Sequence, residues 1–100
     1  MKIFDEAEEY YGDTVAIQEL RARTYILAEA YTMAAKTYAE IIEQNPDRYM
    51  QYARLEILSY VEAGEDDKAG TLYIEYITAG GTADAEIVNG IRTLRGLDPQ

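Results

Sequence analysis

A chain of 100 residues with 48% apolar and 28% charged side chains is one small domain, able to bury a core of its own. Nine Lys and Arg against nineteen Asp and Glu leave a net charge of −10, which argues against a surface for nucleic acid or anionic membrane, since both require basic patches. With no cysteine and no histidine there is no disulfide, no thiol nucleophile, no zinc–thiolate or histidine-ligated metal and no Ser-His-Asp triad.

No apolar run approaches the ~20 residues of a membrane-spanning helix. The opening MKIFDEAEEYYGD turns acidic at its fifth residue and lacks the apolar segment of a signal peptide. The expected setting is soluble and cytoplasmic, and nothing in the composition calls for a cofactor or a metal.

Apolar residues recur at three and four positions rather than at two, so the expected fold is all-α: antiparallel helical hairpins stacked as a short solenoid or a compact bundle, in a single domain spanning 1–100. Ile3, Phe4, Ala7 and Tyr11 predict a short helix over 1–12, closed by Gly12. The stretch 13–45 has no Gly or Pro before Asn45 and carries two apolar stripes. Leu20, Leu27, Tyr31, Tyr38 and Ile41 form one; Ala22, Ile26, Ala30 and Met33 form the other. A helix apolar on two faces is sandwiched between neighbours. Two antiparallel helices with a turn near 28–31 are the preferred reading, and one long helix is the alternative.

Pro46 and Asp47 separate that hairpin from a second one over 46–81. Its first helix buries Tyr49, Met50, Ala53, Ile57, Tyr60 and Val61, with Asp47 as the expected cap. Gly64 is placed to end it in the left-handed conformation. The next helix starts at Asp66 or Asp67, carries Ala69, Leu72, Tyr73, Tyr76 and Ile77, and stops at Gly80-Gly81. Thr82 or Asp84 opens a last helix within 82–97, with Ile87, Val88, Ile91 and Leu94 inward.

Ala34, Tyr38, Ile41 and Pro46 match Ala69, Tyr73, Tyr76 and Gly81 at an offset of thirty-five residues: a small residue, an aromatic one turn later, and a breaker. The NPD at 45–47, the pair Tyr52 and Leu55, and Gly64 followed by Ala69 and Tyr73 extend the pattern. In these features the chain resembles the tetratricopeptide repeat family over residues 14–81, about two repeats, with Thr82–Leu97 in the place of a capping helix. Glu56, Tyr76, Ile41 and Glu29 depart from the family pattern, Glu29 standing where the turn glycine belongs. The resemblance implies a non-enzymatic interaction module, an adaptor with a groove lined by the first helix of each hairpin.

On that reading Tyr49 and Tyr52, three apart on the first helix of the second hairpin, are candidate partner contacts; packing against the preceding hairpin is their other reading. Two acidic clusters are further candidates: Glu6, Glu8 and Glu9 near the N-terminus, and Glu65, Asp66 and Asp67 beside Gly64. Both would steer a partner with a basic surface. The ligand spacing of a calcium loop is missing, as is a phosphate-binding glycine loop. No carboxylate is expected in an apolar setting that would raise its pKa for acid catalysis. The expected partner is therefore another protein, with no direct nucleic acid or membrane contact. Homodimerisation is also open, because a two-hairpin stack leaves apolar ends uncovered. The alternative function is a small acidic inhibitor, phage-encoded or immunity-type, whose carboxylates stand in for phosphates and cover a nucleic-acid-binding surface.

Overall fold

The computed structural model describes residues 15–96. Within them the chain reverses at Glu29, so the stretch with neither glycine nor proline is two helices: α1 (Val15–Leu27) and α2 (Tyr31–Gln44). Glu29 takes the left-handed conformation, φ 59°. Its N–H donates to Ile26 O at 3.0 Å and the N–H of Ala30 to Tyr25 O at 2.8 Å, which closes the last carbonyls of α1 in the Schellman pattern. The same device ends the two helices of the second hairpin, α3 (Tyr49–Glu62) and α4 (Asp66–Thr78), with Gly64 and Gly80 at the left-handed position. There glycine adopts that conformation without the Cβ clash that Glu29 bears.

Pro46–Arg48 forms a 3-10 turn between the hairpins, and Arg48 precedes α3 without a capping side chain, so Asp47 does not cap that helix as expected. The last helix, α5 (Ala85–Leu94), is capped by Asp84, whose Oδ1 accepts the N–H of Ile87 at 3.2 Å. Among the described residues there is no strand, and no helix is long and apolar enough to cross a membrane.

Each helix packs on the next in sequence from α1 to α5, and α5 also returns to α3. The result is a slab of 48 × 28 × 16 Å, roughly two helix layers thick at the usual interaxial spacing. Both core clusters draw on α3. Tyr52 joins Ala22, Tyr38 and Ile41 on one side, and Ala53, Ile57 and Tyr60 join Ala35, Ala69, Tyr76, Ile87 and Ile91 on the other. Small residues sit at the crossings, where a side chain larger than a methyl would hold the helices apart. The thirty-five-residue correspondence has a physical counterpart here: Ala34 and Ala69 are both fully buried, and so are Ile41 and, nearly, Tyr76.

Several side chains expected inward point out instead. Leu20 and Leu27 are exposed, Leu27 by 86%, because they lie on the side of α1 opposite the face that buries Gln18 and Ala22. Met33, Met50, Ile77 and Leu94 are also exposed, on the edges of their helices rather than on the packed faces. The expected helix over 1–12 lies outside the described residues.

Two stability outcomes follow. Glu29→Gly relieves the left-handed strain and is expected to stabilise by about 0.5–1 kcal/mol in urea titration, net of the added freedom of the unfolded chain. Ala69→Leu forces three more carbon atoms into a fully buried crossing and should cost about 1–3 kcal/mol; wild-type stability in that variant would contradict close packing of α4 at this position.

Candidate functional site

The helix α3 has neighbours on nearly every side, yet it carries a carboxylate on the inner face. Glu56 lies three residues after Ala53 and four before Tyr60, both buried, and only 8% of its own surface reaches solvent. Among the described residues its carboxylate has no hydrogen bond or ion pair, and the charge that acts on it is another carboxylate, Glu75 of α4. Burial first, and Glu75 second, push its pKa from 4.5 up to about 7. Glu56 forms part of the wall of a groove between α3 and α4 of about 380 Å³, together with Tyr60, Asp67, Lys68, Thr71 and Leu72. The expectation that no carboxylate would sit in an apolar setting is therefore overturned. The signal was present in the sequence, since Glu56 shares a helical face with Ala53, Ile57 and Tyr60 and replaces the small residue of the repeat pattern.

Around this groove the charged residues are mostly tied to one another. Lys68 Nζ lies 3.4 Å from Glu65 Oε1 and 5.4 Å from the centroid of the Tyr60 ring. Glu65 Oε2 accepts the hydroxyl of Thr32 at 2.9 Å, joining α2 to the start of α4. Arg95 Nε donates to Asp66 Oδ2 at 2.9 Å, and its Nη2 lies 3.8 Å from Asp67 Oδ1. Of the expected acidic cluster, then, Glu65 and Asp66 serve the fold, and Asp67 is the member that remains almost entirely open.

Arg54 makes a second junction. Its Nε donates to Asp84 Oδ2 and its Nη2 to Glu86 Oε2 at 2.9 Å, while the N–H of Asp84 donates to Tyr73 Oη at 3.0 Å. Asp84 is thus the point where α3, α4 and α5 meet. Partial burial pushes its pKa up, but the hydrogen bonds from Arg54 and from the Ile87 amide outweigh this and hold it below the usual value.

The two candidate tyrosines separate. Tyr52 is 2% exposed, stacks on Tyr38 at 6.1 Å between centroids, and donates its hydroxyl to Glu19 Oε2 at 2.9 Å. It is a core residue that joins α3 to α1 and α2, which corrects its assignment as a partner contact. Tyr49 is half-buried against the Tyr76 ring, 6.5 Å away, and keeps an accessible edge. Glu6, Glu8 and Glu9 lie outside the described residues. Among the described residues no three acidic side chains gather as a metal would require.

Comparisons with known proteins add no relative. No protein-family model matches the chain, and neither the curated proteins nor the solved structures yield a match.

The buried carboxylate has a definite consequence for stability. Between about pH 4.5, where Glu56 titrates in the unfolded chain, and about pH 7, the folded protein keeps a proton that the unfolded chain has lost. Stability from this group therefore falls as pH rises through that window and stays lower above it. Asp84 works in the opposite sense at lower pH: its contribution is present above its ordinary value near 3.8 and is lost as pH falls through the folded value. Thermal melts of the wild type should lose about 1–2 kcal/mol from pH 5 to pH 8, after allowance for the partly open groove. Glu56→Gln should flatten that slope, and an unchanged slope would show that Glu56 is not its source.

Proposed function

We propose that this chain is a non-catalytic protein–protein interaction module, a short tetratricopeptide-like stack of two hairpins and a closing helix, that binds a basic or mixed peptide or protein surface. The observation that carries the partner class is the excess of acid, nineteen Asp and Glu against nine Lys and Arg, of which four cations are paired within the fold. Arg23, Arg54, Lys68 and Arg95 are all committed to carboxylates of their own fold. Glu40, Glu43, Asp47 and Glu62 are exposed and, among the described residues, have no cation within ion-pair distance. A surface left anionic in this way attracts Lys and Arg and repels phosphate backbones.

The repeat-like organisation is supported by the equivalent burial of Ala34 and Ala69 and by the shared hairpin ending at Glu29 and Gly64. Exposed Leu20, Leu27 and Ile74 add apolar contact area on the outer faces. The non-catalytic reading rests on the absence of histidine and cysteine and on Ser59, the one serine, whose buried hydroxyl donates to Leu55 O at 2.8 Å within its own helix.

The test is fluorescence anisotropy with unstructured peptides matched in length and apolar content but differing in Lys and Arg content. Basic peptides should bind, acidic ones should not, and affinity should fall only several-fold with added salt because apolar contacts persist. Equal binding of acidic and basic peptides would overturn the reading. A steep collapse with salt, together with displacement of a nucleic-acid-binding protein's DNA, would assign the chain to charge mimicry instead.

A further inference from the structure

The groove between α3 and α4 combines features that are costly to keep unless something enters it. Its inner wall holds Glu56, a residue only 8% exposed, whose carboxylate has no hydrogen bond or ion pair among the described residues although Lys68 lines the same groove. A buried charge in that state costs far more than a paired one. Its other walls are the ring of Tyr60, the side chain of Leu72 and the methyl-bearing Thr71, which suit an aliphatic stem. The Tyr60 ring already receives an ammonium, that of Lys68 at 5.4 Å, so an incoming stem would share this wall with Lys68. Lys68 itself is directed to Glu65 rather than to Glu56. A volume of about 380 Å³ is at the small end for ligand sites and fits one side chain rather than a helix or strand.

We propose that this groove is the socket for a single lysine side chain of a partner protein, with its aliphatic stem along Tyr60 and Leu72 and its ammonium on the Glu56 carboxylate. Lysine is favoured over arginine by the geometry. A planar guanidinium needs a whole open carboxylate edge for its two-pronged contact, whereas with Glu56 only 8% exposed a compact ammonium on a thin stem is the better match. The socket deepens the interaction-module reading by naming the side chain that the module recognises.

The groups that face Glu56 set how binding responds to pH. Glu75, Asp67 and Lys68 come from α4, and Tyr49 and Tyr60 lie on α3 itself. Glu56 changes charge near neutrality, so the incoming ammonium competes with its proton. Affinity should rise about tenfold from pH 6 to pH 8, as the ionised fraction of a carboxyl titrating near 7 rises from about a tenth to about nine tenths.

The experiment is an NMR titration of the full chain with n-butylammonium, and with a basic peptide in lysine, acetyl-lysine and arginine versions. Butylammonium should shift the Tyr60, Thr71 and Leu72 resonances and lower the titration midpoint of the Glu56 carboxyl. The lysine peptide should bind several-fold more tightly than its arginine version and lose this advantage on acetylation. Glu56→Gln, checked for an unchanged helical spectrum, should abolish the groove shifts and the pH dependence. If that variant binds like the wild type, or if butylammonium perturbs other carboxylates and leaves the groove unmoved, the socket is overturned. Equal binding of the arginine peptide would overturn the choice of lysine. Basic peptides that bind through other faces would leave the interaction module standing without this site; a groove that takes butylammonium while no peptide binds would do the reverse.

Discussion

The helix α3 must be apolar over most of its circumference, because α2, α4 and α5 pack against it and Tyr52 reaches α1 from it. Tyr52 faces one cluster, Ala53, Ile57 and Tyr60 face the other, and the two clusters meet along Ile42 of α2. With α3 in the middle, the five helices of the described residues close a two-layer core. The same placement explains why a polar residue on α3 has an effect out of proportion to its size. Glu56 interrupts the packed face where the repeat pattern has a small residue, and it leaves a groove with a buried acid instead of a closed helix contact.

The hairpins are positioned by small residues and held in place by polar ones. Alanines at positions 22, 34, 35, 53 and 69 let the helix axes approach, and their burial contributes contact area without rotamer entropy. The longer side chains then fasten the ends. Asp84 ties three helices through Arg54, Tyr73 and the Ile87 amide, and Arg95 returns from the end of α5 to the start of α4 at Asp66. The hydroxyl of Tyr52 does the same at the other end of the slab by reaching Glu19. Several tyrosines here act as core residues with one polar contact at the edge of the packing, which accounts for their abundance in a chain with no tryptophan.

Fastening the fold with the available cations has an electrostatic result. With nine basic side chains against nineteen acidic ones, each intramolecular pair uses one of each and leaves the excess of ten acids in place. The exposed carboxylates of α2 and of the turn at Pro46–Arg48 face solvent alongside Lys36 and Arg48.

The periodicity of the apolar residues and the positions of Pro46, Gly64 and Gly80-Gly81 were sufficient by themselves for the all-α class and the succession of helices, since these depend on neighbours a few residues apart, whereas the structure decided for the turn near 28–31 over one long helix and for Asp84 over Thr82 as the cap. The pairing of Ala34 and Tyr38 with Ala69 and Tyr73 was legible for the same reason. What only the tertiary structure decided was which apolar residues faced a neighbour and which did not. Leu27 and Met50 satisfy helical periodicity as well as Ile57 does, but they lie where no helix comes to cover them. Tyr52 could have faced a partner or a core until α1 and α2 closed over it, and Glu56 could have been one more solvated acid until α4 came to lie alongside. Burial and the pKa that follows from it depend on what packs across the chain, and a helical face does not record which of its sides will be covered.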